Sequence, residues 1–298
     1  IMNAKNTNLH KAKREANDEF YTQYEDIAKE IEHYKEHLKG KVVYCNCDIP
    51  YFSNFHKYFL DNFKELELKK LIVTGYAKNE NGKCSIYDGE KSIDYDLLGD
   101  GDFRGDECID MLQKADVVIT NPPFSLFREF IKVVVDNGKD FIVVGSKTAI
   151  GYKELFVLIK SGNMFIGATN ASNFITNYEY LNAKNTFIKD GVRYAKFGNI
   201  GWFTSLNVRE NTYLELTKEY NENEYSKYDN YDAINVDKTK DIPKDYHGVV
   251  GVPITFLDKH NQNQFEIVGF RKGDDGKDLR IGGKDKFSRV LIKRKGVL

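Results

Sequence analysis

The sequence predicts an α/β protein in which residues 1–206 form a doubly wound, mostly parallel sheet. Short apolar, β-branched runs alternate along these residues with patterns of helical spacing. Such alternation is typical of a parallel sheet with helices on both faces, because a helix usually connects two parallel strands. Apolar residues make up 41% of the 298 residues and charged residues 30%, as in soluble globular proteins. A chain of this length can bury one large core, or one core and a smaller lobe.

Four apolar runs predict the strands of the sheet, and amphipathic patterns predict helices beside them. The strands are residues 41–47, 70–74, 115–120 and 140–145. The helices that follow strands are residues 53–60, 125–137 and 152–161. Before the first strand, apolar residues at helical spacing predict a helix over residues 26–38, and Gly40 suits its end.

The rest of residues 1–206 predicts a hairpin and two further strands. Alternating residues with nearby glycines predict the hairpin at 84–98. Apolar runs predict strands at 164–168 and 194–206, and the second contains Trp202, the only tryptophan. After Asn207 the chain becomes rich in Tyr, Asn and Glu, and strand-like runs return over 249–268. We therefore expect a soft boundary near Asn207, with a second region at 207–298.

The sequence gives no sign of a membrane segment, a leader or a metal site. No run approaches the roughly 18 apolar residues of a membrane helix, and the first residues lack a signal peptide's apolar core. A cytoplasmic protein is therefore expected. Cys45, Cys47, Cys84 and Cys108 show no paired zinc-binding spacing. Cys45 and Cys47 alternate on a predicted strand, so we expect both to pack on one face rather than to bind metal.

The overall charge counts modestly against a nucleic-acid partner, but the local charge does not. The net charge is −1, from 44 basic and 45 acidic residues. Residues 271–298 hold ten Lys or Arg against four Asp, and the basic residues end in Lys293-Arg294-Lys295. This segment is either a solubilising end or a surface that contacts phosphates.

Asn121-Pro122-Pro123-Phe124 directly follows the predicted strand 115–120. The two prolines stop the strand and stiffen the backbone, and open α/β sheets bind ligands at the carboxyl ends of their strands. The Asn121 amide oxygen and the Pro122 carbonyl can accept hydrogen bonds from an exocyclic amino group. Phe124 can stack on an aromatic ring. This arrangement suits methyl transfer to a planar amino nitrogen, and the alternative is a plain turn.

Three other segments would lie beside Asn121 in a doubly wound sheet. Residues 42–55 form a predicted strand ending at Asp48, a polar loop without glycine, and a helix start that suits a carboxylate or phosphate. In Gly99–Phe103, Asp102 can accept a bond from an adenine amino group beside Phe103. The alternative is a turn with Phe103 in the core. In residues 18–23, Thr22 or Gln23 could simply cap the following helix.

Together these motifs resemble S-adenosylmethionine-dependent amino-methyltransferases of the γ arrangement. More closely, the chain is similar to the EcoRI-type adenine-specific DNA methyltransferase family, whose Tyr-Cys-Asn-Cys-Asp loop stands here at residues 44–48. The likeness extends over residues 18–23, 43–55, 196–206 and 229–266, and covers the chain from about residue 16 onwards. Asn-Pro-Pro-Phe alone indicates only the class, whereas its occurrence with the cysteine-containing loop is far more specific.

The resemblance implies a role for each motif residue. Asn121, Pro122, Pro123 and Phe124 would form the catalytic motif, with Asn121 and Pro122 holding the target amino group and Phe124 stacking on the extruded base. The residues implied to bind S-adenosylmethionine are Tyr21 and Thr22 at its methionine end, Asn46, Asp48 and Ser53 in the loop, Asp102 at its adenine amino group and Phe103 at its ring. Two departures from the family pattern weaken the loop assignments. The usual glycines are missing, and no carboxylate follows strand 70–74 to bind the ribose.

The implied activity is methylation of adenine N6 at specific sites in duplex DNA, on a base flipped out of the helix. The enzyme would belong to a restriction-modification or mobile-element system. A cognate restriction endonuclease would act on the same site without forming a stable complex. Residues 207–298 would read the target, with Lys293, Arg294 and Lys295 on phosphates. The alternatives are a methyltransferase for RNA or protein glutamine, and a catalytically silent DNA-binding homologue.

Overall fold

A computed structural model describes residues 21–171, 173–175, 186–196, 198–271 and 278–296. These residues fall into two compact units. The first comprises Ile1–Ala149 and Gly167–Leu206, and the second comprises Ile150–Ile166 and Asn207–Leu298. The predicted motif at residues 18–23 is therefore described only from Tyr21 onwards.

The elements up to residue 206 alternate between strands and helices. The strands are β1 Tyr21–Thr22, β2 Val42–Cys45, β3 Lys70–Gly75, β4 Lys83–Tyr87, β5 Ser92–Asp96, β6 Val117–Thr120, β7 Asp140–Ser146, β8 Phe165–Ile166, β9 Asn173–Ile175, β10 Thr186–Lys189, β11 Val192–Lys196 and β12 Ile200–Thr204. The helices are α1 Tyr24–Ile31, α2 Lys35–Leu38, α3 Asn54–Asp61, α4 Asp106–Lys114, α5 Phe127–Asp136 and α6 Lys153–Lys160. Short 3₁₀ turns occupy Glu32–Tyr34, Phe124–Leu126 and Lys147–Gly151.

The first unit is built on a large, mostly parallel central sheet, so the predicted α/β class is confirmed. Its strand order within the unit is β5-β4-β3-β2-β6-β7-β12. The four strands β3, β2, β6 and β7 are parallel, and antiparallel strands flank them on both sides. From β2 the chain first adds β3 on one side and later β6 on the other. The order therefore reverses between β2 and β6, at the position where open α/β sheets form a ligand crevice.

The central strands are continuous apolar runs because the interior covers both of their faces. All four residues of β2 (VVYC) and of β6 (VVIT) are buried. Parallel strands that are buried on both faces have continuous apolar sequences, whereas strands with one exposed face alternate between apolar and polar residues. Val43 pairs with Val117, and Tyr44 pairs with Val118. This register brings the ends of β2 and β6 to one edge of the sheet.

Several predicted boundaries are wrong. The predicted helix 26–38 is interrupted by a 3₁₀ turn at Glu32–Tyr34, where Tyr34 leaves the helical region with φ −117° and ψ 5°. The predicted strand 194–206 is two strands, because residues 198–199 form a turn. Of these, β11 pairs with β9 and β10, whereas β12 pairs with β7 in the central sheet. The first strand ends at Cys45, so Cys47 and Asp48 lie in the loop after it.

The second unit contains a five-stranded sheet. Its strands are β13 Lys227–Tyr228, β14 Tyr231–Asn235, β15 Val249–Pro253, β16 Phe265–Arg271 and β19 Arg289–Arg294, and a separate hairpin is formed by β17 Leu279–Ile281 and β18 Lys284–Lys286. The order is β13-β14-β15-β19-β16. Helix α6 belongs to this unit, and its Phe156 ring lies 5.4 Å from that of Phe270 on β16. Across the described residues of both units, every helix is too short or too polar to span a membrane.

Three glycines allow backbone segments of the first unit to touch beside the end of β3. A Cβ atom on Gly82 would lie 2.7 Å from the Gly101 Cα, and one on Gly101 would clash with the Gly75 carbonyl oxygen. Gly101 also has φ +82°, which disfavours other residues. The close approach places the loop that carries Asp102 against the carboxyl end of β3.

We predict that Gly101→Ala lowers the free energy of unfolding by clearly more than ~1 kcal/mol, the cost of the left-handed conformation alone. The added methyl group would also force the Gly75 carbonyl away. Gly138→Ala is the matched control, because Gly138 has φ +65° and no atom within 4 Å of the added position. Urea unfolding measures both variants, and equal losses of stability would contradict the close-approach interpretation.

Candidate active site

The loop after β2 leads directly into helix α3. Asn46 and Cys47 form a turn, and the Asp48 main-chain N–H donates to the Thr74 carbonyl at 3.1 Å. Ser53 caps α3, because its hydroxyl accepts a bond of 3.0 Å from the Phe55 N–H. The predicted helix start near Ser53 is thereby confirmed. The loop holds its shape through side-chain and main-chain bonds rather than through glycines.

The Asp48 carboxylate joins this loop to the end of β6. One oxygen accepts from the Ser53 hydroxyl at 2.5 Å, and the other accepts from the Thr120 hydroxyl at 2.5 Å. The Asn121 main-chain N–H also hydrogen-bonds to Asp48. Asp48 is only 6% exposed. Asp48 and Ser53, which were predicted from the loop segment, therefore lie together with Asn121, which was predicted from a separate motif.

Asp48 is held in a strongly desolvated position. Burial raises the pKa of its carboxyl from 3.8 to about 6, although the bonds from Ser53, Thr120 and Asn121 act in the opposite direction. The negative charge of Asp48 also acts on the Cys45 and Cys47 thiols. Burial raises the pKa of both thiols well above the ordinary value, so they stay neutral near pH 7.

Asn121, Pro122 and Pro123 continue from β6 without regular structure, and Phe124 begins a 3₁₀ turn. Asn121 is half-buried, Pro122 is buried, and Pro123 and Phe124 are half-buried. The Pro123 carbonyl accepts from the Leu126 N–H at 3.0 Å, which starts the 3₁₀ turn that leads into α5. The motif thus stands at the carboxyl end of β6, as the sequence predicts.

Two residues predicted to bind the cofactor carry buried polar atoms without protein partners. Asn46 is 1% exposed, and among the described residues neither atom of its side-chain amide has a hydrogen-bond partner. The same holds for the buried Thr22 hydroxyl. Asn54, the first residue of α3, donates to the Thr22 carbonyl at 2.8 Å and ties β1 to this helix end. An unsatisfied buried polar group costs about 1–3 kcal/mol, so a polar ligand here would recover that cost.

Asp102 and Phe103 are already engaged within the first unit. The Asp102 carboxylate accepts bonds of 2.9 Å and 2.7 Å from the Arg104 guanidinium, which also binds Glu129 at 2.8 Å. Arg104 lowers the pKa of Asp102, whose side chain keeps 27% exposure. Phe103 is buried and packs edge-to-face on Phe130 at 5.2 Å. This matches the alternative of a turn with a core phenylalanine, and contact with a cofactor stays a prediction.

Sequence reasoning missed two features of the site. One is Thr120, whose only signal was a polar residue ending an apolar strand. The other is the tip of the β2–α3 loop, where Tyr51 adopts φ +65° and Phe52 is 83% exposed. The Tyr51 N–H donates to His56 Nδ1 at 2.7 Å, and the Tyr51 hydroxyl donates to Asp94 at 2.9 Å. Burial lowers the pKa of His56 to about 4, so the ring is neutral and can accept that bond.

The residues predicted to contact DNA phosphates lie in or directly after a strand of the second unit's sheet. Lys293 and Arg294 end β19, an inner strand of the second unit's sheet, and Lys295 follows it, so these residues are not a loose tail. Lys293 lies opposite Glu266 on β16.

The prediction that Cys45 and Cys47 share a strand face is wrong, because β2 ends at Cys45. Within the described part of the chain, no cluster of three or more His, Cys, Asp or Glu could hold a metal ion.

The family model described as "Adenine-specific methyltransferase EcoRI" matches residues 8–96 and 77–295. The chain belongs to the EcoRI adenine-specific methyltransferase family. The resemblance read from the sequence motifs is thereby confirmed, and membership makes the protein an adenine-specific methyltransferase.

Curated relatives agree with this membership over nearly their full lengths. The Type II methyltransferase M.EcoRI of Escherichia coli is 48% identical, with 98% of each chain covered. M.MpnI of Mycoplasma pneumoniae, also a Type II methyltransferase, is 37% identical over 96% of this chain and 98% of the relative. M.MgeORF184P of Mycoplasma genitalium is 36% identical over 97% and 99%. No solved structure matches the chain.

The pKa of Asp48 predicts how stability depends on pH in this family member. Because the folded-state pKa lies above the unfolded one, folding takes up a proton, and stability falls as pH rises from about 4 to about 6. The full change is on the order of 3 kcal/mol, at about 1.4 kcal/mol for each pKa unit. Urea unfolding measures the parent and Asp48→Asn across this window. The free energy of unfolding of the parent minus that of Asp48→Asn should fall by that amount as pH rises. A difference that does not vary with pH would show that Asp48 titrates normally.

Proposed function

We propose that the protein methylates adenine N6 at specific sites in duplex DNA, with S-adenosylmethionine as methyl donor. The observation that carries the proposal is the joining of Asn121 to the β2–α3 loop through Asp48, at the point where strand order reverses. Family membership and the Type II relatives support the same activity. The relatives' description also supports a role in a restriction-modification system, in which a cognate endonuclease acts on the same site.

The residues of β1 and of the β2–α3 loop fit S-adenosylmethionine. The buried Asn46 amide and Thr22 hydroxyl offer the polar atoms that its methionine end requires, and Ser53 and Tyr21 stand in the same two segments. Asp102 and Phe103 remain the predicted contacts for its adenine. When bound, the cofactor supplies a methyl group made electrophilic by its sulfonium. The protein's own contribution is to bind, orient and exclude water.

Asn121 and Pro122 are proposed to hold the target amino group. An adenine amino nitrogen is a weak nucleophile, because its lone pair is delocalised into the ring. The Asn121 amide oxygen and the Pro122 carbonyl would each accept a hydrogen bond from one N–H of this amino group. The nitrogen can then become pyramidal and aim its lone pair at the methyl group. Phe124 stacks on the base. Catalysis then rests on positioning and preorganised hydrogen bonds.

The target base must leave the duplex to reach such a site. We propose that residues 207–298 include the surface that recognises DNA, with Lys293, Arg294 and Lys295 contacting phosphates. Exposed lysines at the end of a folded strand can position a duplex without reading its sequence. Adenine in RNA is the second candidate substrate, since the motif accepts the amino group of an unpaired base.

Sequencing of modified bases tests this function directly. The chain is expressed in cells without other adenine methylation, and N6-methyladenine is mapped in DNA and RNA. We expect the modified base at one defined DNA sequence. Methylation confined to RNA would replace the proposed substrate, and no methylation would contradict the activity.

Asn121→Ala should lower kcat by about two orders of magnitude or more, because the variant lacks one preorganised acceptor for the amino group. The affinity for S-adenosylmethionine, measured by calorimetry, should stay close to that of the parent. Methylation of DNA at the parental rate would show that Asn121 does not hold the target base.

Replacing Lys293, Arg294 and Lys295 with Gln should weaken binding to all duplexes alike and leave site choice unchanged. The dependence of log K on log salt should flatten by about 0.9 for each phosphate that the variant no longer neutralises. A control triple replaces the exposed lysines Lys64, Lys69 and Lys91. Of these, Lys69 directly precedes β3, at the amino end of that strand, whereas the candidate site lies at the carboxyl ends of the central strands. If both triples change the salt dependence equally, the terminal strand has no special role.

A further inference from the structure

The carboxylate of Asp48 has a use that differs from binding a ligand. A carboxylate only accepts hydrogen bonds, and both of its oxygens are occupied by hydroxyl groups of the protein, from Ser53 and Thr120. The Asn121 N–H adds a third donor. With the side chain buried, little of the carboxylate remains for a cofactor or a base.

We infer that Asp48 is a positioning residue for methyl transfer, which acts by fixing the main chain of Asn121 relative to the cofactor loop. This inference rests on the proposed function. The peptide between Thr120 and Asn121 is held from both sides, since Asp48 receives the Thr120 hydroxyl and the Asn121 N–H. Rotation of that peptide would swing the Asn121 side chain away from its target.

The same carboxylate also holds the segment that is proposed to bind the methyl donor. Its bond to Ser53 holds the residue that caps α3, next to Asn54, which binds the Thr22 carbonyl. One group therefore sets the distance between the segment that would hold the methyl donor and the segment that would hold the acceptor. A displacement of about 1 Å between reacting groups can cost ~100-fold in rate.

The sheet supplies a matched control for a purely structural role. Asp116 also joins β2 to β6, but at their amino ends, where its carboxylate accepts from the Val42 N–H at 2.7 Å. Asp116→Asn therefore weakens the same strand pair on the edge opposite the site. A loss of activity that arises only from a loosened sheet would affect both variants.

The test compares Asp48→Asn, Thr120→Val and Asp116→Asn with the parent, once the parent's methylation site in DNA is known. Single-turnover methylation of a duplex carrying that site gives the rate, and calorimetry gives the affinity for S-adenosylmethionine. We expect Asp48→Asn to lose about tenfold or more in rate, with affinity within about threefold of the parent. Thr120→Val should lose rate in the same direction, and Asp116→Asn should keep the parental rate.

Each other outcome overturns the inference. A parental rate in Asp48→Asn shows that Asp48 does not position Asn121, and an equal loss of rate and cofactor affinity makes Asp48 part of the cofactor site. An equal loss of rate in Asp116→Asn reduces the effect to sheet stability. If Asp48→Asn does not fold, Thr120→Val decides by the same criteria. A parent that methylates no DNA contradicts the proposed function itself, which is a separate result.

Discussion

The Asp48 carboxylate, in the loop after β2, accepts hydrogen bonds from Ser53 at the start of α3 and from Thr120 at the end of the neighbouring strand β6. The geometry of the site depends on this carboxylate. The parallel pairing of β2 with β6 brings the two loops after them to one edge of the sheet, and the bonds of Asp48 join the loops there. The bond to Thr120 spans 72 residues of sequence. Without this acceptor, the Asn-Pro-Pro-Phe motif and the loop after β2 would be two independent segments at one edge of a sheet.

The site carries unfavourable free energy, and a ligand can relieve the part that comes from Asn46 and Thr22. Burial of Asp48 disfavours its charged form, and the Asn46 and Thr22 side chains bury polar atoms that the described protein groups leave unsatisfied. The central strands around them are continuously apolar and supply the compensating stability. Strained or unsatisfied groups of this kind persist where the surrounding structure holds them firmly, which is typical of functional sites.

The sequence allowed prediction of those elements that local patterns of residues specify. The central strands, the hairpin β4–β5, helices α3, α5 and α6, and the position of Asn121 after β6 followed from local patterns. The strand 194–206 was misjudged because a turn at 198–199 sends its halves to different sheets, which local apolarity does not reveal. The partners of Asp48 were also out of reach, because Thr120 meets it only through the parallel register of β2 and β6, and Ser53 meets it only through the conformation of the loop. Likewise, a basic chain end gave no sign that Arg289–Arg294 would be an inner strand.

A crystal structure of the protein with S-adenosylhomocysteine tests the central claim most directly. The claim is that the carboxyl ends of β2 and β6 form one site, in which the buried amide of Asn46 and hydroxyl of Thr22 hold the cofactor beside Asn121. The account predicts hydrogen bonds from the ligand to both side chains, with its sulfur facing Asn121 and the Asp48 bonds to Ser53 and Thr120 intact. A ligand bound away from Asn46 and Thr22, or one that displaces Ser53 or Thr120 from Asp48, would contradict it.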